Sequence, residues 1–194
     1  MTDERADARE CSDASVIRGS GIGEQADAHG RYEIECIGAD GKLKWRDTIE
    51  NVVATVGKNL ALDTFLAGAA YTVTGPYMGL ISSTSYTAVA AGDTMASHAG
   101  WLEAGGATAP TYTGNRKTAA WSAAASGSKA LSAALSFAIT STGTVKGAFL
   151  AYGSGALATK DNTAGTLWSA GTFSTGDKAV VNGDTLNVNS STSL

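Results

Sequence analysis

The chain has 194 residues, of which 43% are hydrophobic, 7% aromatic and only 16% charged, against about 25% charged in an average domain. Its 24 glycines and recurrent Ala, Ser and Thr suit turn-rich β-structure and exclude long exposed helices, which need far more Glu, Lys and Arg. The formal net charge of −4 gives no overall pull on nucleic acid or acidic membranes, and no apolar run is long enough to span a bilayer, so neither partner is expected.

The charge is divided unevenly. Residues 1–50 carry 12 acidic and 7 basic side chains, whereas residues 51–194 carry 6 and 7. The opening "MTDERADARECSDAS" is acidic and polar, unlike a secretory signal, so the protein is expected to work where it is made or to leave the cell by another route. Residues 1–29 hold too few large apolar residues to offset the entropy of ordering alone. They read as an extended N-terminal arm whose contacts to a neighbouring subunit run through Val16, Ile17, Arg18 and Ile22. Two cysteines, Cys11 and Cys36, make no disulfide framework and read as reduced thiols.

Residues 30–194 read as one β-domain. In "RYEIECIGADGKLKWRDTI", Tyr32, Ile34 and Cys36 alternate with Arg31, Glu33 and Glu35, the period of a half-buried strand. An Asp-Gly turn follows, then Leu43, Trp45 and Asp47 alternate with Lys44, Arg46 and Thr48, which predicts a hairpin. Val56, Leu60, Asp63 and Phe65–Leu66 have helical spacing, which predicts one helix over Gly57–Ala67, capped by Thr55 and ended by Gly68. Beyond Tyr77 the chain reads as short strands. These are "YMGLIS", "TAAWSAAAS" and "ALSAALSFAIT" about a "GSK" turn, "VKGAFLAYG", "GTLWSAGTF" and "DTLNVNSSTS". The pattern predicts a mainly β fold, an antiparallel, jelly-roll-like β-sandwich with one packed helix.

Candidate chemistry centres on "AAGDTMASHAGWLE", which gathers Asp93, Thr94, Ser97, His98 and Glu103. A nucleophilic triad needs Ser, His and an acid in contact, and His29 and His98 are the only histidines. No G-x-S-x-G elbow presents a serine, and no H-E-x-x-H, C-x-x-C or EF-hand spacing gathers metal ligands. The glycine-rich "GSGIGEQ" lacks the Lys-Ser/Thr of a phosphate loop. The stretch reads instead as a structural loop. Asp93 or Thr94 caps a helical turn over Met95–Ala99, Gly100 stops it, His98 packs in the loop, and Trp101 plugs the core. Trp45, Trp121 and Trp168 likewise read as core aromatics rather than a sugar platform. No catalytic residue, cofactor or metal is expected.

The order of blocks "YEIECIGADGKLKWRDTIENVV", "GKNLALDTFLAG", "YMGLIS", "AAGDTMASHAGW", "VKGAFLAY" and "TLWSAGTFSTGDKAVVNGDTLNV" resembles a family of small structural proteins of tailed bacteriophages. The resemblance runs from Tyr32 to the C-terminus. It implies a non-enzymatic, multicopy virion component. The leading expectation is a capsid decoration, or cement, protein on the outside of the head, made in the host cytoplasm and bound to the major capsid protein. Self-association is expected too, a trimer before a dimer, by analogy with decoration proteins at threefold positions. The alternative is a tail- or fibre-associated β-domain for receptor recognition or tail assembly, which exposed aromatics near "TAPTYTGNR" and at Trp121 would favour.

Overall fold

Alternation at the front of the domain produces the hairpin that period two dictates. In the computed structural model, which describes residues 28–66 and 74–193, β1 (His29–Ile37) buries Tyr32, Ile34 and Cys36 and exposes Arg31 and Glu33. β1 takes up His29, the last residue assigned to the arm; the expected contacts at Val16, Ile17, Arg18 and Ile22 lie outside the described residues, as does Cys11. The chain reverses at Asp40–Gly41, where Gly41 adopts φ +77° and the Asp40 carboxylate accepts the Lys42 N–H. β2 (Leu43–Val53) then pairs with β1 over most of its length.

Eleven strands and one helix lie among the described residues. After β2 come α1 (Thr55–Leu66), β3 (Tyr77–Ser82), β4 (Glu103–Ala104), β5 (Lys117–Thr118) and β6 (Ser128–Ala130). β7 (Leu135–Ala138), β8 (Gly143–Tyr152), β9 (Thr166–Thr172), β10 (Lys178–Val180) and β11 (Thr185–Ser193) complete the order. All pairings are antiparallel, along the path β4-β3-β8-β9-β2-β1-β11-β6, with β5 beside β3, β10 beside β8 and β7 beside β11. The mainly β, antiparallel fold with one helix is therefore as expected. Its sheet is one open path bent at β2, whose last residues, Val52 and Val53, pair with Ala170 and Ser169 of β9.

The bend puts two limbs around a common core. Ile34, Ile49, Phe137, Leu186 and Val188 of one limb cluster with Met78, Leu80, Val145, Ala148 and Leu150 of the other. The second limb is covered on its far face as well. Ile81, Phe149, Ala151, Leu167 and Ala170 pack there with Ala54, Met95 and Trp101. Two-sided burial explains why "GAFLAY" is an unbroken apolar run: both strand faces are inside. Gly79 lets the Phe149 ring lie against the β3 backbone, since a Cβ there would stand 2.4 Å from ring atoms.

The helix starts earlier than its apolar spacing suggests. The Ala54 carbonyl accepts the N–H groups of Gly57 and Lys58, and the Thr55 N–H donates to Ala91 O, so the backbone ties down this end. Its expected end at Ala67–Gly68 lies outside the described residues. Gly57 brings α1 close to β9: a Cβ there would meet the Trp168 carbonyl oxygen at 2.8 Å.

The "TAAWSAAAS" strand is the main departure. It makes isolated bridges, Trp121 to Leu131 and Ala125 to Ser128, around a turn centred on Ser126 and Gly127 at φ +50° and +72°. This turn comes earlier than the expected "GSK" turn. Alternating Ala and Ser offer little apolar area to bind the stretch to a sheet, so it stays exposed apart from the buried Ala119 and the half-buried Trp121.

Candidate functional site: a scaffolded loop, buried ion pairs and an apolar groove

The loop holding Asp93 and His98 closes on Trp101. Asp93 Oδ2 accepts the Ala90 N–H at 2.9 Å and the Trp101 indole N–H at 2.9 Å. His98 stacks on the Trp101 ring, with centroids 3.8 Å apart and planes 18° apart, and its Nδ1 lies 3.0 Å from Trp101 O. Trp101 is 1% exposed and packs on Phe149. The core plug expected of Trp101 is therefore present.

The helical turn expected over Met95–Ala99 is absent from this loop. Thr94 and Ser97 instead exchange backbone hydrogen bonds, and Thr94 Oγ1 accepts the Ser97 N–H at 3.0 Å. The physical reason is the direction of Asp93. Its carboxylate reaches back to Ala90 and across to Trp101, leaving Thr94 to close a tight β-type turn. Ser97 is thus engaged by Thr94 and His98 by Trp101.

Glu103, at the end of the same stretch, belongs to a different assembly. Arg116 grips it with both ends of its fork, Nη2 to Oε2 at 2.7 Å and Nε to Oε1 at 2.9 Å. Both residues are buried, at 5% and 3% exposure. Arg116 also donates to Leu157 O and Asn162 O, and Glu103 Oε2 accepts the Asp161 N–H. The pair fastens the 157–162 loop to β4. Lys160 adds bonds to Gly105 O and Tyr112 O, and burial lowers its pKa. Tyr112, the aromatic of "TAPTYTGNR", is 3% exposed and packs edge-on against Phe137, so it offers no surface to a receptor.

Two further carboxylates are buried. Asp47 accepts from Ser174 Oγ, Thr175 Oγ1, Lys178 Nζ and the Thr48 N–H. Burial alone would raise its pKa, but the bonds from Thr175, Lys178, Ser174 and Thr48 outweigh that and hold it well below the usual carboxylate range. Asp184 accepts from Lys44 Nζ at 2.7 Å and from the Val181 N–H at 2.9 Å. Burial opposes its ionisation, yet these bonds lower its pKa too. Cys36 is a free, buried thiol beside Asp184, pushed up to about 12 by burial and then by that negative charge.

An apolar groove of about 570 Å³ opens among the described residues. One side is α1, through Ala61 and Thr64. Leu150, Tyr152 and Trp168 come from β8 and β9, and Trp121 with the 124–129 turn supplies another side. The end of β11, Thr192 and Ser193, completes it. Tyr152 and Trp168 lie against each other at 5.5 Å. Trp121 and Trp168 also pack on the core, so the expected core role and the groove are two faces of the same rings. Six separate chain segments, Pro76 before β3 among them, build this groove, and no local sequence pattern announces it.

No protein family, curated protein or solved structure matches the chain. No helix among the described residues is long and apolar enough to cross a membrane.

Proposed function

We propose that the protein is a non-enzymatic structural component of a tailed-phage virion, a decoration protein on the outer surface of the capsid. The observation that carries this reading is the use of its buried charge. Asp47, Glu103, Arg116 and Asp184 each tie distant stretches of backbone or side chain into one body. A shell-binding protein needs that rigidity, because each copy must keep its shape while bridging capsid subunits under internal pressure. The resemblance of the Tyr32-to-C-terminus blocks to phage structural proteins supports the same reading, as does the charge-poor, small-residue surface of the domain.

In this reading the major capsid protein is the partner, and the acidic first 29 residues approach a basic surface on it. Like subunits meet as trimers in preference to dimers, each contact being repeated by symmetry. Repetition over the shell supplies avidity. Quantified gels of purified particles test this. Near one copy per capsid protein, with side-chain-resolution density on the outer shell, is the expected result. A handful of copies located on the tail would replace it with the fibre-associated alternative.

A further inference from the structure

We propose that the apolar groove is the seat of the chain's own N-terminal segment Val16–Ile22. The first argument is where the described chain begins. His29 pairs with Ser193 and Gly30 with Thr192, and both partners line the groove. The N-terminal segment therefore joins the domain at the groove's rim.

The second argument is reach. Six residues separate Ile22 from His29, and the seven steps between them span up to about 24 Å when extended. So short a tether holds its ligand at an effective concentration in the millimolar range, about which free copies in solution cannot compete. The same chain, rather than a second copy, is the favoured donor.

The third argument is complementarity. The groove is lined by Trp121, Trp168, Ala61 and Leu150 beside Tyr152. Val16, Ile17 and Ile22 are the sizeable apolar side chains that a polar, acidic stretch brings to it. Lys129 lies at the groove, and the stretch carries Asp13, Glu24 and Asp27 on either side of its apolar residues. Gly19, Gly21 and Gly23 allow the backbone to follow a curved wall. A small polar ligand would find few groups here to orient it, whereas a peptide brings its own apolar side chains. This inference concerns the isolated protein and stands apart from the virion reading.

The full-length protein supplies the test, because Cys36 is fully buried and Cys11 can be labelled selectively. A nitroxide on Cys11 sits five residues from Val16. The expected result is that amide signals of Ala61, Ala124 and Lys129 lose at least about half their intensity in dilute ¹⁵N-labelled protein, a loss restored in the Ile17→Asp/Ile22→Asp variant. Amides at Asp40–Gly41, at the far end of β1, serve as the unaffected reference. Groove signals that behave like this reference, or that stay broadened in the double variant, overturn the proposal. Broadening that appears only on ¹⁵N chains lacking the nitroxide, mixed with labelled unenriched chains, also overturns it, since the occupant is then a second copy.

Discussion

At the scale of residues, the buried charges set how the molecule responds to acid and to substitution. Asp47 is held well below the ordinary carboxylate range, so the folded state refuses a proton that the unfolded chain accepts near about pH 3.9. Its stabilising contribution is therefore complete above that value and is lost as pH falls through it toward the folded pKa. Urea midpoints measured below about pH 5 should fall steeply for the natural chain and less steeply for Asp47→Asn, which is weaker at neutral pH. The Glu103–Arg116 pair responds differently. Arg116→Met strands a buried carboxylate and should cost about 3–5 kcal/mol in urea unfolding. Glu103→Leu with Arg116→Met should cost clearly less than the sum of the single changes, because no lone charge is left inside. Little of this was legible in the sequence. Asp47 sits in the apolar phase of a strand pattern, which is a visible clue. Glu103 stood out only as a neighbour of His98, while Arg116 lies in the loop-like "GNRK" and finds its partners when residues 157–162 fold over it.

At the scale of elements, legibility follows how much apolar contrast a segment carries. The β1–β2 hairpin was readable because large apolar residues alternate along it, and β3 at "YMGLIS" because it is a short apolar run. The helix was legible only from the spacing of Val56, Leu60 and Leu66. The Ala- and Ser-rich stretch around Trp121 was not, since small side chains give neither face an advantage. The two-faced burial of β8 was half visible, as an apolar run without alternation. Contact between α1 and β9 shows what local propensity leaves out. Gly57→Ala would add about 1 kcal/mol of stability in an open helix. Here the new methyl would press on the Trp168 carbonyl oxygen, a backbone atom that cannot swing aside. The expected outcome is a net loss of about 1–3 kcal/mol, read as a lower midpoint in thermal or urea denaturation. A gain in stability would show that α1 can shift away from β9 without penalty.

At the scale of the whole molecule, the sheet is closed by its most distant parts. β11 pairs with β1, β6 and β7, so the last strand completes the limb that the first strand opens. Such pairing makes the fold depend on both ends of the described chain at once, which favours a single cooperative transition. Removal of residues 185–194 takes away the fully buried Leu186 and Val188 and leaves three strands without a partner edge. Each of those side chains contributes about 1.5–3 kcal/mol by burial, against a net stability of about 5–15 kcal/mol for a typical domain. With the ladder bonds of β11 also gone, the chain ending at Asp184 should be unfolded by circular dichroism. A chain beginning at Ala28 keeps every strand pairing of the sheet, because β1 starts at His29. It should unfold in one urea transition with an unchanged slope and a modestly lower midpoint, the difference reflecting a vacated groove. A folded chain ending at Asp184, or two separate transitions in the chain beginning at Ala28, would mean that the limbs are stable apart and that β11 is an accessory strand.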